Sequence, residues 1–342
     1  MAACRDRAGG HEAFTRVMTF ARCRITLSLT FNADNRLVGL FFSQPEAIDD
    51  NPPLPHEREF TLQTDGFDLP ARLTLPGGEK GRKYPCVVLV HGSGPSDMNE
   101  SVGANKPFRD LAEGLSRRGI AVIRYEKRTH VYDVARHGLP KGRQLDYDTE
   151  TVDDVLTAID SARVFPEVCR DSIYVVGHSL GAMLAPRIAE RSGHLAGIVM
   201  LAGTPRKLMD VLRDQNIAAL KTSDAAVVDS VMAVARRQLP ESYIAFDSLY
   251  SAGATAARLR LPMLLLQGER DVQVTVADYR AWDKWLKKNR GVVRRTYPLL
   301  NHLFVEDTGK PVAEEYNTPS HIPGYVMDDI AQFVRTGKIA EQ

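Results

Sequence analysis

From Tyr84 onward, short continuous apolar runs alternate with stretches whose apolar residues recur every three or four positions. Val87-Val88-Leu89-Val90, Ile120 to Ile123, Ile173 to Val176, Ile198 to Leu201 and Met263 to Leu266 read as strands buried on both faces, and Val292 to Tyr297 reads as a further strand. Between them, Phe108 to Arg118 reads as a helix ending at Gly119. Thr151 to Ala162 places Val152, Val155, Leu156 and Ile159 on one helical face, with Thr151 and Asp154 spaced as a capping box. Further helices are expected over Val276 to Leu286 and Val326 to Val334. Buried strands alternating with amphipathic helices predict an α/β fold, a mostly parallel central sheet with helices on both faces.

Two regions depart from this rhythm. Residues 204 to about 260 show only helical spacing (Leu208, Leu212; Val227, Val231, Val234), so a helical cap inserted above the carboxyl edge of the sheet is expected. At the other end, residues 1 to about 20 are mixed and charged, without a clear period. Ile25 to Phe31 and Arg36 to Phe42 flank the turn-rich Asn32-Ala33-Asp34-Asn35 and read as a β-hairpin. Ala47 to Pro55 is acidic and proline-rich, the composition of a linker. A second antiparallel pair is expected over Glu59 to Thr64 and Leu69 to Leu75. The expected organisation is therefore a small N-terminal β-hairpin module and linker over 1–55, followed by an α/β domain over 56–342.

Composition narrows the class only a little. With 342 residues, 44% hydrophobic and 25% charged, the chain has the make-up of an ordinary globular protein. A net charge of +1 creates no overall field for nucleic acid, and no apolar run reaches membrane-helix length. The N-terminus lacks the apolar core of a secretory signal, and Cys4, Cys23, Cys86 and Cys169 show no metal or Cys-x-x-Cys spacing. A cytoplasmic protein with idle thiols and no metal or cofactor is the expectation. The free edges of the N-terminal hairpin could pair with a second subunit, so a homodimer is one expected assembly.

The chemistry sits at the junction of an apolar run and a helix. Gly177-His178-Ser179-Leu180-Gly181 follows Ile173 to Val176 and precedes Ala182-Met183-Leu184-Ala185, the sequence form of a nucleophile elbow. A serine hydroxyl needs an imidazole to take its proton, and the imidazole needs an acid to hold its tautomer. In the α/β-hydrolase arrangement the chain order is nucleophile, acid, histidine. Asp271 follows the run ending at Leu266, and His302 follows the strand ending at Tyr297, so both fall at carboxyl ends of strands. Glu269 is the rival acid. The oxyanion donors expected are the backbone N–H of Leu180 and that of Ser93, or alternatively Gly94, in the loop His91-Gly92-Ser93-Gly94-Pro95. His178 reads as the variable residue of the elbow. The basic run Arg124 to Arg128 reads as a solvated, internally paired turn rather than an anion site. Tyr243, Phe246 and Tyr250 in the cap are candidates for a substrate pocket, or equally for the cap's own small core.

Together, His91-Gly92-Ser93-Gly94-Pro95, Gly177-His178-Ser179-Leu180-Gly181, Gln267-Gly268-Glu269-Arg270-Asp271 and Leu300-Asn301-His302 resemble bacterial α/β-hydrolase esterases of the EstD type. The stretches Asn105 to Ala112 and Ile123 to Arg128 are similar to that group as well, and the likeness runs from about residue 58 to the C-terminus. The resemblance implies the α/β-hydrolase fold, a triad of Ser179, Asp271 and His302, and hydrolysis of small short-chain acyl esters. Such a mechanism proceeds through an acyl-enzyme, and its rate rises with pH as the imidazole loses its proton. A peptidase or amidase with the same triad is the first alternative, and a non-catalytic ligand-binding homologue a remote one. Two departures from the group's pattern stand out: a shorter N-terminal module, and Ala182 where a further glycine is common.

Overall fold

The computed structural model describes residues 4–8, 11–19, 23–43, 46–47, 53–78, 81–222 and 224–340. They fall into two units, Met1–Pro53 and Leu54–Gln342.

The first unit is a five-stranded antiparallel sheet of β1 (Cys4–Ala8), β2 (His11–Thr19), β3 (Cys23–Phe31), β4 (Leu37–Phe42) and β5 (Glu46–Ala47), with β5 pairing β3. The β3–β4 hairpin turns where expected. Asn32 Oδ1 accepts from the N–H groups of Asp34 and Arg36 at 3.0 and 2.9 Å, and Asn35 takes φ 59°, a left-handed position that Asn tolerates. Residues 4–8 and 11–19, which show no clear period in sequence, are strands: β2 pairs with β1 on one side and β3 on the other. Ladder bonds to two neighbours, rather than an alternating pattern, make these residues strands. The linker expected over 47–55 lies largely outside the described residues.

In the second unit, β6 (Glu57–Thr64), β7 (Phe67–Thr74), β8 (Tyr84–Val90), β9 (Ala121–Tyr125), β10 (Val168–His178), β11 (Gly197–Leu201), β12 (Met263–Gly268) and β13 (Val292–Tyr297) form one sheet. Its order is β13-β12-β11-β10-β8-β9-β7-β6. The pairs β6–β7 and β7–β9 are antiparallel, and every pair from β9 through β8 to β13 is parallel. The order reverses around β8, where crossovers leave toward both sides.

The continuous apolar runs are explained by burial on both faces. Cys86, Val88 and Val90 of β8 enter one core, while Val87 and Leu89 enter the other. Helices α4 (Asp153–Val164) and α5 (Leu180–Ser192) cover the first face through Val155, Ile159, Leu184 and Ile188. Helices α1 (Pro107–Ser116) and α13 (Gly324–Thr336) cover the second through Phe108, Leu111, Ile330 and Phe333. Each fully buried aliphatic side chain contributes about 1.5–3 kcal/mol. The remaining helices are α2 (Arg128–Val131), α3 (Val134–His137), α10 (Val276–Ala281), α11 (Asp283–Leu286) and α12 (Val312–Tyr316). The helix expected over Val276 to Leu286 is thus two pieces. Between β11 and β12 come only helices among the described residues: α6 (Leu208–Leu220), α7 (Ala225–Gln238), α8 (Glu241–Leu249) and α9 (Ala252–Arg258).

Two local expectations fail for tertiary reasons. Thr151 and Asp154 do not form a capping box, because a π-helical turn (Asp148–Val152) leads into α4. Asp154 instead receives Arg128 in a buried pair, with Nε at 2.9 Å from Oδ2. The basic turn after β9 is not solvated either: Arg124, Lys127 and Arg128 are fully buried, on Glu57, Glu150 and Asp154. Charged side chains enter a core only with such partners.

Candidate active site

Ser179 occupies the single residue between β10 and α5, at φ 53° and ψ −114°. For a residue with a Cβ such a backbone costs about 1–3 kcal/mol and is held by its surroundings. The flanking glycines are sterically compelled. A Cβ on Gly181 would lie 2.2 Å from the Val90 carbonyl oxygen, and one on Gly177 would lie 2.3 Å from that of Gly181. The Ser179 N–H is anchored on the Leu201 carbonyl at 2.9 Å, and its own carbonyl accepts from Met183 N–H. Its hydroxyl makes no hydrogen bond among the described residues.

Asp271 and His302 are brought together from the loops after β12 and β13. The carboxylate's Oδ1 accepts the backbone N–H groups of Gln273 (2.8 Å) and Val274 (2.9 Å), which orients it. Its Oδ2 receives Gln267 Nε2 at 3.1 Å and stands 2.7 Å from His302 Nδ1. With Nδ1–H donating to the carboxylate, Nε2 is the unprotonated ring nitrogen of the neutral imidazole. Both residues are buried. The His302 loop is itself held by Asn301, whose Oδ1 accepts from Leu303 N–H at 2.9 Å. Its ring centroid is 4.8 Å from that of His178, the residue before Ser179. The rival acid Glu269 is exposed and accepts from Thr296 Oγ1 at 2.6 Å.

The loop after β8 packs on the elbow: a Cβ on Gly92 would be 3.3 Å from the Ser179 Cβ. Leu180 is the first residue of α5, so its N–H has no partner in a preceding turn. Neither Ser93 nor Gly94 donates its backbone N–H to a partner among the described residues. Gly94 takes φ 81°, which lets the loop fold back sharply.

Three buried polar residues of this site escaped the motif reading. Glu100, at φ 51°, accepts the Gly92 N–H on Oε1 at 2.6 Å and lies 2.9 Å from His178 Nδ1 through Oε2. His178 Nε2 in turn donates to the His302 carbonyl at 2.9 Å. Lys127 Nζ donates to the carbonyls of both Gly92 and Gly94 at 3.0 Å. No local pattern announces them, because their partners are remote in sequence.

Burial by itself would lower the His178 pKa, but the Glu100 carboxylate outweighs it, and the His302 carbonyl adds to the upward shift. For Glu100, burial acts upward, yet the facing His178 and His91 rings and the Gly92 N–H hold it below the usual carboxylate range. His91, buried and lacking so close a carboxylate, is pushed down to about 4, chiefly by desolvation. A raised His178 contributes stability that is complete below the unfolded imidazole value and is lost as pH rises through its folded value. A depressed Glu100 contributes stability above the unfolded carboxylate range, lost as pH falls through its folded value. Glu100→Gln is therefore expected to move the His178 titration to lower pH and to remove the pair's alkaline stability loss. NMR titration of the His178 ring protons reads this, and an unmoved midpoint would refute the pairing.

The three aromatic candidates lie on α8 and at its end, in the helical insertion between β11 and β12. Tyr243 and Tyr250 are buried, with hydroxyls donating to Glu150 Oε2 (2.8 Å) and the Met183 carbonyl (2.9 Å). Phe246 packs on Tyr147 and, with Tyr250, Arg187 and Arg258, lines a cavity of about 430 Å³. Neither Ser179, Asp271 nor His302 lines that cavity.

Fold and elbow define a class, a hydrolase built on a mostly parallel sheet with its serine at a strand-to-helix turn. The chain belongs to the alpha/beta hydrolase family, whose model matches residues 87–315. It is 35% identical to Esterase EstD of Thermotoga maritima, over 95% of this chain and 80% of that protein. Among solved structures it is similar to Est1E from Butyrivibrio proteoclasticus (TM-score 0.55, 17% identity, 82% of this chain and 98% of that one). It is similar also to the acylaminoacyl peptidase of Pyrococcus horikoshii (TM-score 0.55, 14% identity, 99% of this chain and 56% of that one). At these identities the structural likenesses establish the fold alone.

Proposed function

We propose that the chain is a serine carboxylesterase that hydrolyses small, short-chain acyl esters through Ser179, His302 and Asp271. Family membership and the relationship to Esterase EstD make it a hydrolase of carboxylic esters. The observation that carries the finer reading is the 2.7 Å contact of a buried, backbone-held Asp271 with His302 Nδ1, beside a serine at a strained elbow.

In this reading His302 Nε2 takes the Ser179 proton as the oxygen attacks the ester carbonyl. The N–H groups of Leu180 and Ser93 hold the developing oxyanion, with Gly94 as the alternative donor. Asp271 stabilises the imidazolium that forms. His302 then returns the proton to the leaving alcohol, and water releases the acyl group by the same steps in reverse. Nothing in this sequence requires a metal or cofactor.

Hydrolysis of a p-nitrophenyl ester series from acetate to decanoate, run against the matched anilides, tests the reading. Turnover of the short esters is expected, falling with chain length, with the anilides at least about a hundredfold slower. Anilides cleaved as fast as esters would make an amidase of the same triad the better account.

A further inference from the structure

We propose that Lys127 is a positioning residue for catalysis: by holding the Gly92 and Gly94 carbonyls, it aims and polarises the Ser93 N–H toward the oxyanion. The inference rests on the serine-esterase reading above, with Ser93 as a donor.

The geometry follows from one peptide plane. The Gly92 carbonyl and the Ser93 N–H belong to the same trans peptide group, so they point in opposite directions. Lys127 Nζ, 3.0 Å from the Gly92 oxygen, therefore sets the direction of the Ser93 N–H on the far side of that plane. A cation on the carbonyl also draws charge from the amide and strengthens its N–H as a donor. The second bond, to Gly94 at 3.0 Å, pins the other side of Ser93. Glu100 holds the remaining handle, the Gly92 N–H. A glycine-rich loop with an exposed Ser93 is thus held at three backbone groups by the buried Lys127 and Glu100.

The amino group's ion-pair partner leads to helix α8. Lys127 Nζ lies 3.4 Å from Glu150 Oε1, and Glu150 Oε2 accepts the Tyr243 hydroxyl of α8 at 2.8 Å. All three side chains are buried. Tyr243, a sequence candidate for a pocket or equally for a small core, acts in this account through Glu150 and Lys127 on the oxyanion loop. Helix α8 and the loop after β8 are thus joined through two hydrogen bonds from Lys127, its ion pair with Glu150 and the Tyr243 hydroxyl.

The test compares wild type, Ser179→Ala, Lys127→Met and Tyr243→Phe on p-nitrophenyl butyrate. It also measures inhibition by an alkyl trifluoromethyl ketone, whose serine adduct carries the oxyanion. Circular dichroism melts report folding. For Lys127→Met, kcat is expected to fall about ten- to a hundredfold, less than losing the donor itself, with KM within about twofold. Inhibitor affinity should fall by the same factor as kcat. Tyr243→Phe should show the same signature at about two- to fivefold, and it decides the matter if Lys127→Met does not fold. Unchanged kcat and inhibitor affinity in the folded variants, or a rise in KM alone, overturns the role of Lys127 while Ser179-dependent turnover leaves the esterase reading intact. Equal turnover by wild type and Ser179→Ala overturns both.

Discussion

Ser179→Ala is expected to lose on the order of a millionfold in kcat on p-nitrophenyl butyrate, the loss found when the nucleophile of a cooperating triad is removed. Substrate binding should survive, because the elbow backbone is set by contacts that alanine keeps. The Ser179 N–H bonds the Leu201 carbonyl, and the close approach of Gly177 to Gly181 and of Gly181 to Val90 is untouched. Alanine at φ 53° carries the same backbone cost as serine, so the melting temperature should change little. A fluorophosphonate that labels wild type should fail to label the variant. Turnover within tenfold of wild type would remove Ser179 from the mechanism.

Asp271→Asn should lower kcat by about ten-thousandfold while leaving the chain folded. The asparagine oxygen can still accept the N–H groups of Gln273 and Val274, but the position now facing His302 Nδ1 holds an NH₂. The imidazole then favours the tautomer with its proton on Nε2, where it cannot accept one from serine. Gln267 Nε2, 3.1 Å from the same carboxylate oxygen, would face a second donor, adding a stability loss of about 1–3 kcal/mol. Kinetics on the folded variant, with Glu269→Gln as control, separate the two acids. Glu269 is exposed and engaged with Thr296, so its loss should leave kcat within about threefold. A larger effect from Glu269 than from Asp271 would reverse their roles.

The elbow was legible because each requirement is local. The bend needs glycines two residues either side of the serine, and the strand before it and helix after it have their own periods. Asp271 and His302 were legible by another route: strand ends in a parallel sheet share one edge, so counting strands locates the loops that can converge. The basic turn was misread. Arg124, Lys127 and Arg128 look like a solvated run, and only the folding of β6, α4 and the β8 loop around them supplies Glu57, Asp154 and the Gly92 carbonyl. The same blindness hid His178 and Glu100, whose side chains meet across the site although they lie 78 positions apart in the chain.

By itself the sequence determined the elements whose signal is carried by neighbours: the doubly buried strands, the amphipathic helices, the helical insertion and the glycine-bracketed serine. Tertiary structure alone decided which charges are buried, which carboxylate faces which imidazole, and that the buried Tyr243 hydroxyl donates to Glu150. Helix periods and turn residues are set over a few positions by backbone sterics and hydrophobic spacing. A buried ion pair is tolerable only when a distant partner arrives, and no short stretch of chain encodes that arrival.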